Sequence, residues 1–280
     1  MPAKIIDGKK NAEKILNDLK SKIRNSKQKP GLALVLIGNE PASEIYVNFK
    51  EKTCKEVGFY CERYNLDKNI SEMDLLNLIN NLNQKTNFHG ILVQLPLPKQ
   101  IDEKLIVNSI LPHKDVDGFT PINLGNLISE NTIIAPATAR AVIKLIESTG
   151  VGIEGKNAVV VGRSKIVGKP VAMMLLEKNA TVTICHSKTR NLAEHTKKAD
   201  ILVVAVGRPK LITKEMVKEG AVVIDVGINR VDGKVIGDVD FVNVKEVAGF
   251  ITPVPGGVGP MTIAMLMENT LKAMELAKKL

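Results

Sequence analysis

Along the chain, short apolar runs recur, each followed by a turn and then by apolar residues at helical spacing. Residues 32–37 read as a buried strand, Gly38-Asn39-Glu40-Pro41 as a turn, and 43–57 as a helix. Residues 59–66 alternate more and predict an edge strand. In 71–84, Met73, Leu76, Ile79 and Leu82 fall at helical spacing with Ser71 as N-cap. The next strand, 91–95, ends at Pro96-Leu97-Pro98. This β-α-β-α order predicts a parallel or mostly parallel sheet covered by helices.

The pattern breaks over 115–136, which is loop-rich with a short helical stretch near 123–127. A helix over 138–148 then stops at Gly150-Val151-Gly152. A second alternation follows, with strands at 158–161, 181–185, 201–206 and 221–226 and helices at about 168–178, 190–197 and 213–218. That is the order of a doubly wound nucleotide-binding domain. A last helix, about 261–279, carries lysines at its C-terminus, where they suit the helix dipole. The expectation is an α/β protein with a first domain over 1–137, a Rossmann-like second domain over 138–260, and a final helix (261–280) that returns to the first.

Composition narrows the classes. A length of 280 residues fits two domains, and 44% hydrophobic with 25% charged residues excludes a mainly disordered chain. No apolar run approaches the roughly 20 residues that span a bilayer, and residues 1–7 offer no signal-peptide core, so no membrane association and a cytoplasmic location are expected. Thirty-nine basic against 30 acidic residues leave a net charge of +9, which favours anionic partners. The lysines are scattered, aromatic residues are 3% and Trp is absent, which argues against a nucleic-acid platform. Three cysteines without a CxxC pair make a disulfide framework or a metal site improbable, and Cys54 and Cys185 read as small core residues.

Candidate chemistry sits at predicted strand ends. The turn Gly162-Arg163-Ser164-Lys165-Ile166-Val167-Gly168 joins a strand to a helix, where backbone N–H groups and the helix dipole can receive a phosphate, although the spacing is not GxGxxG. After the next strand, Cys185-His186-Ser187-Lys188-Thr189-Arg190 has no acid to hold a ribose 2′-hydroxyl and has two bases; with Arg163 it makes a cradle for a 2′-phosphate, favouring NADP over NAD. Gly207 and the segment Gly227-Ile228 follow the next two strands, with turn and cofactor contact both open for Gly227. In the first half, Tyr46 and Lys50 share one helical face. They are either a lysine packed along a half-buried tyrosine or a pair able to move protons. A YxxxK spacing also occurs in short-chain dehydrogenases, but there it follows the nucleotide turn, whereas here it precedes it. Gln94 is a polar side chain in an apolar strand and needs a partner or a ligand. Asp115 and Asp117 are either a simple Asp-Gly turn or carboxylates offered to a heterocycle with adjacent N–H donors.

These pieces occur together, in order, in one family. The chain resembles the bifunctional methylenetetrahydrofolate dehydrogenase/methenyltetrahydrofolate cyclohydrolases over essentially its whole length. The matching stretches are Pro41-Ala42-Ser43-Glu44-Ile45-Tyr46-Val47 with Lys50, Gly90-Ile91-Leu92-Val93-Gln94-Leu95-Pro96-Leu97-Pro98, Lys114-Asp115-Val116-Asp117-Gly118-Phe119, the Gly162 turn, and Pro253-Val254-Pro255-Gly256-Gly257-Val258-Gly259-Pro260-Met261-Thr262. The resemblance implies two α/β domains flanking a cleft, usually as a homodimer. It implies Lys50 as principal catalytic residue with Tyr46 and Gln94 beside it, Asp117 holding the pterin ring, and Pro255, Gly256 and Gly257 lining a tetrahydrofolate site. It further implies that Arg163, Ser164 and Ser187 touch NADP; Gly162, Val167, Gly207 and Ile228, in the strand-end turns, are expected to serve the same cofactor, and no metal is expected. The alternative within the family is a dehydrogenase with a weak or lost hydrolytic step. One stretch departs from the pattern: Pro136-Ala137-Thr138-Ala139 stands where the family commonly has Pro-Cys-Thr-Pro.

Overall fold

The computed structural model describes residues 2–279. In chain order the elements are β1 (Lys4–Ile5), α1 (Gly8–Ile23), β2 (Gly31–Ile37), α2 (Pro41–Val57), β3 (Tyr60–Leu66), α3 (Glu72–Gln84), β4 (Gly90–Val93), α4 (Glu103–Ser109) and α5 (Pro121–Ile128). They continue with α6 (Ala137–Glu147), β5 (Asn157–Val161), α7 (Gly168–Glu177), β6 (Thr181–Cys185), α8 (Leu192–Thr196), β7 (Ile201–Val204), β8 (Val222–Asp225), β9 (Asn229–Val231), β10 (Lys234–Ile236), α9 (Phe241–Val244), β11 (Phe250–Ile251) and α10 (Val258–Ala277). Two compact units result. One joins Lys14–Ala137 to the residues from Met265 on, and the other joins the residues up to Glu13 to Thr138–Ala264. The chain crosses between them within α1, at the start of α6 and within α10.

The unit of Lys14–Ala137 holds a three-stranded parallel sheet in the order β3-β2-β4. The central strand β2 is buried along its whole length, as its unbroken apolar run requires, and β3 is an edge. Helix α3 starts where Ser71 Oγ accepts the Asp74 N–H at 3.1 Å. Its buried stripe is Leu75, Ile79 and Leu82, whereas Met73 is 65% exposed. Leu75, a turn before Ile79, takes the inward position expected of Met73, while Leu76 is half-buried against the same core. The buried lysine Lys114 closes the far end of α3, donating to the carbonyls of Leu82 (3.2 Å), Asn83 (2.7 Å) and Lys85 (2.8 Å).

The other unit holds a six-stranded parallel sheet in the order β1-β11-β8-β7-β5-β6. The N-terminal strand β1 pairs with β11, so the first residues group here and not with the first domain as the sequence reading has it. That pairing is a contact between ends of the chain, which a local pattern does not carry. Residues 213–218 hold only a 3-10 turn, Lys214–Met216, in place of the expected helix. The hairpin β9–β10 turns at Asp232 and Gly233, both at positive φ, the chemistry of a tight Asp-Gly turn. Ala137 opens helix α6 and Ala139 is fully buried, so the helix runs on without the missing proline. Among the described residues, no helix is long and apolar enough to cross a membrane.

Candidate active site

Helix α2 is fixed at both ends. The Glu40 side chain accepts the Ser43 N–H at 2.7 Å, Pro41 occupies the first turn, and Gly58 ends the helix in the left-handed region at φ 90. Its inward stripe runs Ser43, Val47, Lys50, Cys54, Val57, spaced four, three, four and three residues. Lys50 thus stands where an apolar residue would complete the stripe. Its Nζ donates to Gln94 Oε1 at 2.9 Å, while Gln94 Nε2 donates to the Leu95 carbonyl at 2.8 Å. Gln94 lies one residue past β4, its N–H still paired to the Val35 carbonyl of β2. Burial lowers the lysine pKa from its ordinary value, and the negative charge of Asp117 opposes that shift.

The segment after Lys114 brings Asp117 to Lys50. Asp115 bridges to Ile91 beside β4 and is buried. Its carboxylate accepts the N–H groups of Gly118 (2.9 Å) and Thr120 (2.7 Å) and the Asn123 amide (3.0 Å). Gly118 takes φ 73, and a side chain there would strike the Ala135–Pro136 backbone at 2.6 Å. Asp115 therefore organises the loop, two residues before Asp117. Asp117 is pushed up to about 6, mainly by burial, with Lys50 pulling it down and Asp115 pushing it up. Tyr46 stands one turn before Lys50 on α2, partly buried. Pro255, Gly256 and Gly257 lie in the other unit, just before α10, and a Cβ at Gly8 of α1 would meet the Gly257 carbonyl at 1.8 Å.

In the six-stranded sheet, strand order reverses around β5, whose neighbours are β6 and β7. Ligands bind outside the carboxyl ends of strands at such a switch point. A cavity of about 340 Å³ lies there, with Gly162, Arg163, His186, Ser187, Val206 and Arg208 in its wall. Gly162 has φ 134, and a Cβ on it would lie 2.3 Å from the Ala205 carbonyl; a Cβ on Gly168 would lie 2.2 Å from the Gly162 carbonyl. The turn is therefore packed backbone on backbone. Ser164 Oγ accepts the N–H groups of Val167 (3.1 Å) and Gly168 (3.3 Å), so it shapes the turn at the start of α7.

Of the residues assigned to the cofactor from sequence, Gly162, Arg163 and Ser187 line the cavity, whereas Ser164, Val167, Gly207 and Ile228 are outside its wall. His186, Thr189 and Arg208 line it and were not singled out, although each lies within or beside a strand-end turn read as a binding position. Two arginines, a serine and a threonine with no carboxylate in the wall suit a phosphorylated dinucleotide.

The parallel sheet, its switch-point cavity and the arginines at the glycine turn are those of a pyridine-nucleotide-dependent α/β enzyme. Residues 6–117 match the model of the tetrahydrofolate dehydrogenase/cyclohydrolase catalytic domain, and residues 136–278 that of its NAD(P)-binding domain. The chain belongs to the tetrahydrofolate dehydrogenase/cyclohydrolase family. The bifunctional protein FolD of Moorella thermoacetica is 55% identical over 277 residues, covering 98% of this chain and 99% of that one. The bifunctional FolD structure from Campylobacter jejuni superposes with a TM-score of 0.95 at 48% identity, covering 99% of this chain and 100% of that one. The Trypanosoma brucei enzyme, solved with NADP and an inhibitor, gives a TM-score of 0.96 at 38% identity, with 100% of both chains covered.

Proposed function

We propose that Lys50, Gln94 and Asp117 form the folate-reacting centre, with Tyr46 and the 255–257 loop contributing to substrate binding. The chain is an NADP-dependent methylenetetrahydrofolate dehydrogenase and methenyltetrahydrofolate cyclohydrolase. It oxidises 5,10-methylenetetrahydrofolate to the 5,10-methenyl cation and hydrolyses that cation to 10-formyltetrahydrofolate. The observation that carries the residue assignment is the lysine held in an apolar helix stripe, bonded to Gln94 at 2.9 Å and lowered in pKa by burial.

The bridging carbon of the substrate sits between two nitrogens whose lone pairs stabilise a cation, so its oxidation needs no general base. Positioning is the main requirement of that step. Bound NADP+ supplies the hydride acceptor. Gly162, Arg163, Ser187 and Arg208 would hold the cofactor, the arginines receiving its phosphates. Hydrolysis then uses Lys50. In its neutral form it accepts a proton as the water oxygen bonds to the cationic carbon. The resulting ammonium returns a proton to N5 as the C–N5 bond breaks, while the hydroxyl proton of the adduct leaves to solvent. Gln94 aims the Nζ, and burial lets the amine spend part of the cycle neutral. Asp117 offers its carboxylate to the N–H donors of the pterin. A homodimer in the cytoplasm is part of the same reading, supported by the family resemblance; sedimentation of the purified chain tests the dimer.

The deciding experiment follows reduced cofactor and methenyl product separately during turnover of methylenetetrahydrofolate, with NADP+ against NAD+ and spontaneous hydrolysis subtracted. The expected result is faster turnover with NADP+ and little methenyl build-up, with cyclohydrolase activity abolished in Lys50→Met. Retained hydrolysis in that variant removes Lys50 from the central role, and no turnover by the wild type with either cofactor refutes the function.

A further inference from the structure

Beside the Gly162 turn, Ala205, Val206 and Arg208 line the cavity, and the position of their segment is set from behind. Asp238 is fully buried, just past the hairpin β9–β10. Its Oδ2 accepts the N–H groups of Val206 (2.7 Å) and Gly207 (2.9 Å), and its Oδ1 accepts the N–H of Arg208 (2.8 Å) and the Asn229 side-chain amide (2.9 Å). Three successive backbone N–H groups converging on one point form an anion-binding concavity. Here a carboxylate of the same unit fills it, and the fill is specific. A Cβ on Gly227 would lie 2.2 Å from Asp238 Cγ, so the glycine whose purpose was open from sequence makes room for this side chain.

Asp238 is itself held. The Asp225 carboxylate accepts the N–H groups of Asp238 (3.0 Å), Val239 (2.9 Å) and Gly227 (2.9 Å), and the Asp225 N–H is bonded to Thr252 Oγ1 at 2.8 Å. The two carboxylates thus tie the ends of β8, β10 and β11 to the loop after β7. Val206 and Arg208 face the cavity, so a shift of this loop moves both an apolar wall and a cationic group.

We infer that Asp238 is a positioning residue for the dinucleotide: it clamps the Val206–Gly207–Arg208 backbone in the shape that receives NADP, without touching the cofactor. This rests on the reading of the Gly162 cavity as the cofactor site. Asp238→Ala leaves the concavity without its anion and frees the loop. Asp238→Asn keeps the volume and one acceptor oxygen but turns an amide donor toward N–H donors, giving an intermediate effect.

The test uses the full chain and both variants. NADP+ dissociation constants are measured by titration without folate, amide exchange of peptides covering 205–209 by mass spectrometry, and hydrolysis of preformed methenyltetrahydrofolate without nucleotide. Expected for Asp238→Ala are a Kd for NADP+ at least tenfold higher, faster exchange in that segment, and cyclohydrolase activity within twofold of wild type. Asp238→Asn should raise the Kd at least threefold, and it decides the matter if the alanine variant does not fold. A folded variant that binds NADP+ as tightly as wild type, or one that loses cyclohydrolase activity in proportion to NADP+ affinity, overturns the inference. Failure of the wild type itself to bind NADP+ would instead be the failure of the cofactor-site reading.

Discussion

Gln94→Glu separates the chemical role of Lys50 from its placement. The substitution sets a carboxylate where the amide oxygen now lies, 2.9 Å from the lysine Nζ. With an effective dielectric near 20, opposite charges at that distance attract by about 6 kcal/mol, equivalent to about four pKa units. Burying a second acid near Asp117 takes back a large part, since desolvation opposes any buried ion pair. A net rise of about two units in the lysine pKa remains, and each unit lowers the neutral fraction about tenfold at a fixed pH below the pKa. At any pH below the pKa of the wild-type lysine, cyclohydrolase activity should therefore fall about a hundredfold, and the ascending limb of its pH profile should move about two units toward alkali. Gln94→Ala is the contrasting control. It removes an acceptor from the ammonium, a loss of about 1.5–3 kcal/mol of orienting interaction, and it moves the limb toward acid if at all. The assay is hydrolysis of methenyltetrahydrofolate followed by its absorbance from pH 6 to 10, with the spontaneous rate subtracted. A glutamate variant that loses activity equally at every pH, with the limb unmoved, would refute the idea that a neutral Lys50 takes part in hydrolysis.

Asp117 gives the acid side of the same profile. Its carboxyl is pushed up to about 6, so below that pH the protonated form predominates and the acceptor for the pterin is lost. For the wild type, kcat/KM for the folate should fall about tenfold per unit below pH 6, and Asp117→Asn should raise KM at least tenfold and abolish that limb. A retained limb in the asparagine variant would assign it to another group. At the cofactor turn, Gly168→Ala places a methyl 2.2 Å from the Gly162 carbonyl and 2.9 Å from the Arg163 nitrogen, both backbone atoms unable to yield cheaply. A loss of about 1–3 kcal/mol in stability and at least tenfold in NADP+ affinity is expected, read by thermal unfolding and nucleotide titration.

The sequence carried the elements with strong local patterns and missed those set by distant contacts. Strand β2 and helix α2 are legible because an unbroken apolar run and a cap-to-glycine helix have few other readings. The pairing of β1 with β11 is not, since two residues at the N-terminus hold no periodicity. The hairpin at Asp232-Gly233 had a signal, the dipeptide itself, but lay between weak flanking strands only three residues long. Helix α3 shows a subtler limit: with Leu75, Leu76 and Leu78 all apolar, spacing alone does not say which stripe faces inward. At the active site, Gln94 stood out as a polar residue in an apolar strand and Lys50 by its helical spacing from Tyr46, and the Lys50 and Gln94 side chains meet. Asp238 left no trace, because its partners are mainly backbone N–H groups about thirty residues away, which any sequence supplies.

Perturbed pKa values alone would not have separated the working groups from the structural ones. Asp225 is pushed up to about 7 and Lys114 is lowered, both by burial. What differs is satisfaction. Asp225 and Asp115 each receive three hydrogen bonds, Asp238 receives four, and the Lys114 ammonium donates to three carbonyls. Leaving a buried ion without such partners costs several kcal/mol, so a fold that completes them is using the charge to hold itself together. Among the described residues, Lys50 Nζ donates to Gln94 alone and the Asp117 carboxylate receives no hydrogen bond from the protein. Their charges sustain one another through space while the remaining donor and acceptor positions stay unfilled. Both groups are half-buried, so these open positions are where a ligand can bond. A heterocycle offering adjacent N–H donors to Asp117, with a carbon that becomes cationic near Lys50, supplies both missing interactions at once.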